Sequence, residues 1–144
     1  MTIEDDSALL QSIGRLLPAW GIRVIGEPTS EAALLDARRR ALTPDLLLVD
    51  YRLPQGRNGI DEVMRVRREL GVEMPAIVVT GDTDPGSTQE IEARGLQVAH
   101  KPVRPARAIP VLSESLLARA GADPRVRCRE RQNARVVPIE SERL

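Results

Sequence analysis

The chain has 144 residues, of which 42% are hydrophobic and 29% charged, an ordinary balance for one globular domain with room for a tail. No apolar run approaches the ~20 residues of a membrane-spanning helix, and no charged-then-apolar leader opens the sequence, so neither a span nor a secretory signal is expected. A single cysteine and a single histidine argue against a disulfide framework, a cysteine zinc site and a histidine-rich metal site, and they favour the cytoplasm.

Charge is unevenly spread. Lys101 is the one lysine among 21 basic residues. Residues 1–103 hold 12 basic and 16 acidic side chains, whereas residues 104–144 hold 9 and 5. An acidic body with a basic tail is not a duplex-binding footprint. Trp20 and Tyr51 are the only aromatics, too few for a platform that stacks single-stranded bases. No nucleic-acid partner is therefore expected.

Ser7 to Trp20 predicts a helix, because Leu9, Leu10, Ile13, Leu16 and Leu17 recur at three- and four-residue spacing. Gly21 ends it. Ile22–Gly26 predicts a short strand. Thr29 or Ser30 caps a second helix that carries Ala32, Leu35 and Arg38-Arg39-Arg40 and ends before Thr43-Pro44. Leu46-Leu-Leu-Val49 is apolar without alternation, as in a strand buried on both faces of a parallel sheet, and it ends at Asp50. Residues 51–58 contain Pro and Gly and predict a loop. Gly59–Leu70 predicts a helix closed by Gly71, and Pro75–Thr80 another buried strand. After a loop over 81–86, a short helix runs from about Ser87 to Arg94 and a last strand over Leu96–Ala99. A final helix spans about Pro105–Arg119, interrupted by Pro110. Alternating strands and helices define an α/β fold with a parallel sheet and right-handed crossovers. Residues from about 119 to 144 are Arg-rich and poorly periodic and predict a mobile tail.

Ligands of such sheets gather at the carboxyl ends of the strands. The polar residues placed there are Asp50, Thr80 and Lys101, with Glu4, Asp5 and Asp6 ahead of the first helix. Clustered carboxylates repel unless a cation joins them, and oxygen ligands suit Mg²⁺. A carboxylate beside Mg²⁺ can attack a phosphoryl group, whose oxygens a Thr hydroxyl and a Lys ammonium then hold.

The stretches Ile3-Glu-Asp-Asp6, Asp45-Leu-Leu-Leu-Val-Asp-Tyr-Arg-Leu-Pro54, Val78-Val-Thr-Gly81 and His100-Lys-Pro102, in that order, resemble the response-regulator receiver domain of two-component signalling, over about residues 2–118. The wording around Asp50, Thr80 and His100 looks most like receivers fused to hybrid histidine kinases. The resemblance implies a flavodoxin-like, doubly wound, five-stranded parallel sheet of order 2-1-3-4-5 with five helices. It also implies roles. Asp50 is the phosphoacceptor. Asp5 binds Mg²⁺ directly and Glu4 through water, with Asp50 and the Arg52 carbonyl completing the shell. Thr80 is the switch hydroxyl and Lys101 pairs with the phosphate. Arg52 and Asp82 tune dephosphorylation, Gly81 leaves the phosphoryl group accessible, and the Lys101-Pro102 peptide is cis. Partners follow as a histidine kinase, in the same longer chain or another, or a histidine phosphotransfer protein, with a homodimer left open and no membrane. The chain is expected to catalyse its own phosphorylation and dephosphorylation without being a turnover enzyme.

Three departures stand against the family pattern. Only Met1-Thr2-Ile3 precede the acidic residues, so the central first strand is short or truncated, which leaves ladder groups unpaired. The run Ala134–Ile139 could supply a strand, but Pro138 argues against it. Val98 occupies a position that is often aromatic. Pro105 and Pro110 crowd the last helix, and at this length no fused DNA-reading domain is expected. The short strand motivates an alternative, a degenerate receiver that acts as a non-phosphorylated interaction module. A small phosphatase using Asp50 would need a second acid or base and a pocket, and neither has a signature here.

Overall fold

The computed structural model describes residues 1–19, 21–81 and 85–102. In chain order the elements are β1 (Thr2–Ile3), α1 (Ser7–Ala19), β2 (Gly26–Glu27), α2 (Ser30–Arg39), β3 (Leu47–Asp50), β4 (Arg52–Leu53), a 3-10 turn (Pro54–Gly56), β5 (Arg57–Asn58), α3 (Gly59–Leu70), β6 (Ala76–Thr80), α4 (Pro85–Ala93) and β7 (Gln97–His100). Five strands form one sheet in the order β2-β1-β3-β6-β7, with every pairing parallel. Counted among themselves, these strands have the order 2-1-3-4-5, the flavodoxin-like arrangement. Four α-helices lie among the described residues. The expected fifth, the tail from 119, Trp20 and Asp82 lie outside them.

The apolar run of β3 divides by parity, as a strand's two-residue period requires. Leu47 and Val49 join the main core with Ala33, Leu34 and Ala37 of α2 and Ile60, Val63 and Val66 of α3. Leu46 and Leu48 face the other way, with Ile77, Ala99 and Leu17 of α1. The two faces are unequal: α3 buries five residues, whereas none of α1 is fully buried.

Local signals account for the helix ends. Asp6 Oδ1 accepts from the N–H groups of Ala8 (2.8 Å) and Leu9 (3.2 Å) at the start of α1. Thr29 caps α2 by accepting from Ala32 N–H, and Asn58 caps α3 by accepting from Ile60 N–H. Gly71 closes α3 at φ 62°, a left-handed conformation that favours glycine.

Besides one-residue shifts, such as the last strand at Gln97–His100 instead of 96–99, three segments differ from expectation. The second strand is Gly26–Glu27, shifted from 22–26, because a two-residue β1 gives partners only to those two positions. Residues 51–58 are not a plain loop. Arg52–Leu53 pairs antiparallel with Arg57–Asn58 around a turn in which Gln55 takes φ 63°. Helix α4 starts at Pro85, two residues early, because proline's fixed φ and missing N–H suit the first helical turn.

Strand β1 is short but bonded on both sides. Thr2 N–H donates to Ile25 O (2.7 Å) and Glu4 N–H to Glu27 O (3.2 Å), while Met1 O accepts from Leu48 N–H (2.9 Å). The Met1 ammonium donates to Leu46 O at 2.8 Å. Burial pulls its pKa down to about 6, against the opposing pull of Asp45.

Candidate functional site

The parallel register brings the ends of β1, β3, β6 and β7 to one edge. Asp50 is the last residue of β3, Thr80 the last of β6 and His100 the last of β7, with Thr80 opposite His100. Glu4 directly follows β1. Lys101 N–H donates to Thr80 O at 2.8 Å, and the Lys101-Pro102 peptide is cis. The Lys101 side chain therefore turns back across the edge. Its Nζ donates to Asp50 Oδ2 at 2.8 Å and to Glu4 Oε2 at 3.2 Å.

Glu4 and Asp50 are 3% and 8% exposed, so two carboxylates share a desolvated edge and one ammonium joins them. Burial pushes the Glu4 carboxyl up. The Asp6 N–H, which donates to Glu4 Oε1 at 3.2 Å, opposes this, Asp50 adds to it and Lys101 opposes it again, leaving a net rise. Burial pushes Lys101 down, but its bonds to Asp50 and Glu4 prevail and hold its pKa above the usual lysine value. Lys101 is therefore a firm ammonium at neutral pH.

One oxygen each from Glu4, Asp5 and Asp50 lies within 4.8 Å of the other two. Three hard carboxylate donors, with the exposed Asp5 leaving a side open to water, fit a small divalent cation such as Mg²⁺. Asp6 instead serves the start of α1. Thr80 is buried, 1% exposed, and Arg52 is exposed. The Arg52 N–H points to Asp50 Oδ1 at a long 3.4 Å. Among the described residues, a Cβ on Gly81 would meet only Lys101 Cδ, at 4.0 Å, which leaves the space beside Lys101 open on that side.

Some residues that shape this site went unrecognised in the sequence. A Cβ on Gly59 would lie 2.3 Å from the Asp50 carbonyl oxygen, and Gly59 N–H donates to Tyr51 O at 2.8 Å. Gly59 thus lets α3 begin against the backbone that carries Asp50. Its only sequence signal was a glycine opening a helix right after a capping Asn. Glu31 of α2 pairs with Arg57 (3.0 Å) and Arg65, tying the β4–β5 ribbon to α2 and α3. Tyr51 Oη donates to Glu90 Oε2 of α4 at 3.0 Å. Neither contact has a local sequence signature.

The sheet order and the carboxyl-edge cluster define a class, the doubly wound α/β domain that carries its site beyond the strand ends. The chain matches the response regulator receiver domain family over residues 1–112 and belongs to it. Receiver domains are signalling domains of two-component systems, not turnover enzymes. The response regulator protein TmoT of Ectopseudomonas mendocina is 32% identical over 103 residues, 71% of this chain and 45% of TmoT. TodT of Pseudomonas putida is 29% identical over 133 residues, 92% of this chain and 53% of TodT. A CheY-like receiver domain protein from Methanospirillum hungatei shares the fold with a TM-score of 0.71 at 24% identity, over 85% of this chain and 95% of that one. The chain spans about half the length of the curated relatives it matches, so they lend no support to the expected lack of a nucleic-acid partner. No helix among the described residues is long and apolar enough to cross a membrane.

Proposed function

We propose that this chain is a phosphoacceptor switch in which Asp50 takes a phosphoryl group from a phosphorylated histidine of a kinase or phosphotransfer protein. The observation that carries the reading is the carboxyl-edge constellation: Lys101 Nζ 2.8 Å from Asp50 Oδ2, beside the clustered oxygens of Glu4, Asp5 and Asp50.

An Asp50 carboxylate oxygen attacks phosphorus, and the bond from phosphorus to the donor nitrogen breaks as the acyl phosphate forms. Asp5, Asp50 and the Arg52 carbonyl, with Glu4 through water, are the residues that would hold Mg²⁺. Bound there, the ion neutralises charge on the transferring group. Lys101 pairs with a phosphoryl oxygen, and Thr80 supplies the hydroxyl that follows the group once it is in place. Phosphorylation adds about −1.5 to −2 charge at the edge, a local change that biases a two-state equilibrium. We assign to Arg52 and Asp82 the tuning of how fast water removes it. These phosphoryl transfers are the chain's own catalysis. The likeness of the Asp50–Pro54 and Thr80–Pro85 wording to hybrid-kinase receivers makes a kinase in the same longer chain one candidate donor, and the cytoplasm fits such a donor. We place the domain at 1–118 and the Arg-rich tail at 119–144.

The two-residue β1 favours a second reading, an interaction module that is never phosphorylated. Intact mass after incubation with acetyl phosphate and Mg²⁺ separates the two. The switch reading expects a phosphoryl adduct on the wild type, none on Asp50→Asn, and none in EDTA. A folded wild type without adduct would overturn it in favour of the module.

A further inference from the structure

Tyr51 directly follows Asp50, and its main chain is held on both sides. Its N–H donates to Val79 O at 2.7 Å, and its carbonyl accepts from Gly59 N–H at 2.8 Å. Its ring packs, half-buried, against the main core, and its hydroxyl donates to Glu90 Oε2 at 3.0 Å. Glu90 lies on the outer part of α4, so that helix is joined to the site from two directions. One is the Tyr51–Glu90 bond. The other is the chain itself, because only residues 81–84 separate Thr80 from Pro85.

Helix α4 buries little of its own surface. Only Ser87 and Ile91 of its nine residues are buried, and it lies against β7 at the sheet's edge. In an element with so little buried surface, one directional hydrogen bond is a sizeable share of what fixes its position. Tyr51 cannot follow a moving α4, because its backbone is fixed to β6 and to the start of α3. A displacement of α4 that begins at Thr80 and exceeds what the flexible Glu90 side chain can follow therefore breaks this bond.

We propose that the Tyr51–Glu90 hydrogen bond is a latch that holds α4 in the unphosphorylated position, making Tyr51 a positioning residue that sets how readily the switch turns. The inference rests on the phosphoacceptor reading of Asp50. Tyr51 acts on α4 through Glu90 and does not touch the transferred group. A bond made only in the resting state lowers the population of the switched state, and whatever binds the switched state gains by the same factor when the bond is removed. Because this bond is exposed and water competes for both partners, that factor is about three- to fivefold, within the range of an ordinary net hydrogen bond.

The test is a calorimetric titration of the Mg²⁺-loaded chain with fluoroberyllate, a phosphoryl mimic, on the wild type, Tyr51→Phe, Glu90→Ala and the double variant. Mg²⁺ affinity without the mimic is measured in parallel. The latch predicts mimic affinity about three- to fivefold tighter in each single variant, no further gain in the double variant, and unchanged Mg²⁺ affinity. A merely structural role would lower the melting temperature without tightening the mimic. Unchanged or weaker mimic binding in the singles, or gains that add in the double, would overturn the latch while leaving the phosphoacceptor reading intact. A wild type that binds Mg²⁺ but no mimic would overturn that reading, and the latch with it.

Discussion

Lys101 answers two buried carboxylates at once, and this explains why a lysine stands here in a chain that uses arginine for its other 20 basic residues. A compact ammonium donates along three directions from one point, whereas a planar guanidinium spreads its donors over a fork and needs more room. Removing it strands Glu4 and Asp50 in a desolvated edge. Lys101→Ala should destabilise the metal-free protein by about 1–3 kcal/mol at pH 7, and added Mg²⁺ should recover part of that loss. Thermal melts with and without Mg²⁺ check this, and the idea fails if the variant melts like the wild type. Glu31 supplies a pH prediction. Its own backbone N–H lowers its pKa, burial opposes, and Arg57 and Arg65 lower it further, to about 2. A depressed carboxylate contributes stability above its ordinary value of 4.5 and loses it as pH falls through about 2. The side chain is 44% exposed, so screening keeps the contribution below about 1 kcal/mol. The melting temperatures of wild type and Glu31→Gln should differ at pH 7 and converge towards pH 2. A gap that does not change with pH would count against the pairing.

At the scale of elements, the start of α3 is the joint on which the placement of Asp50 depends. Asn58 caps the helix, and Gly59 lets it approach Asp50 closely. Gly59→Ala places a methyl group 2.3 Å from a backbone oxygen, where no side chain can yield. Helix α3 must shift, at a cost of about 1–3 kcal/mol as for other overpacked sites. Gly71→Ala, at the other end of the helix, meets nothing within 4 Å but holds φ at 62°. It should cost about 1 kcal/mol for conformation alone. Denaturant midpoints rank the two, and a Gly59→Ala midpoint equal to or above that of Gly71→Ala would refute the close-approach argument. Cap and C-cap signals were readable before the fold was known, because capping is chemistry between near neighbours. The hairpin over 52–58 was not, because its two-residue strands carry no period and its ties to Glu31 come from another helix.

At the scale of the whole molecule, the described parts of the two layers that cover the sheet are unequal. One face packs against α2, α3 and α4 through the main core. Among the described residues the other face has Leu46 and Ile77 buried beneath partly buried Leu17, Leu48 and Ala99. Local stability follows buried apolar contact. Native-state hydrogen exchange should therefore find the α1 amides opening at much lower free energy than those of α3. Equal protection of α1 and α3 would contradict the asymmetry read from burial. Strand β1 is anchored in the main core by Ile3, which is fully buried, although it is paired over only two residues on each side.

The sequence by itself determined the class of fold, the strand order expected of its family and the residues that line the carboxyl edge. The alternating elements rest on periodicity and caps, which are local along the chain, whereas the strand order came from the resemblance that the ordered motifs carry. Only the tertiary structure decided which charges meet. Lys101 reaches Glu4 across 97 positions and Asp50 across 51, and Asp6, one of three adjacent acids, is diverted to its helix. Tyr51 meets Glu90, and Gly59 lies against Asp50. Such contacts depend on how strands and helices are stacked in space, and no spacing along the chain encodes a hydrogen bond between side chains on separate elements.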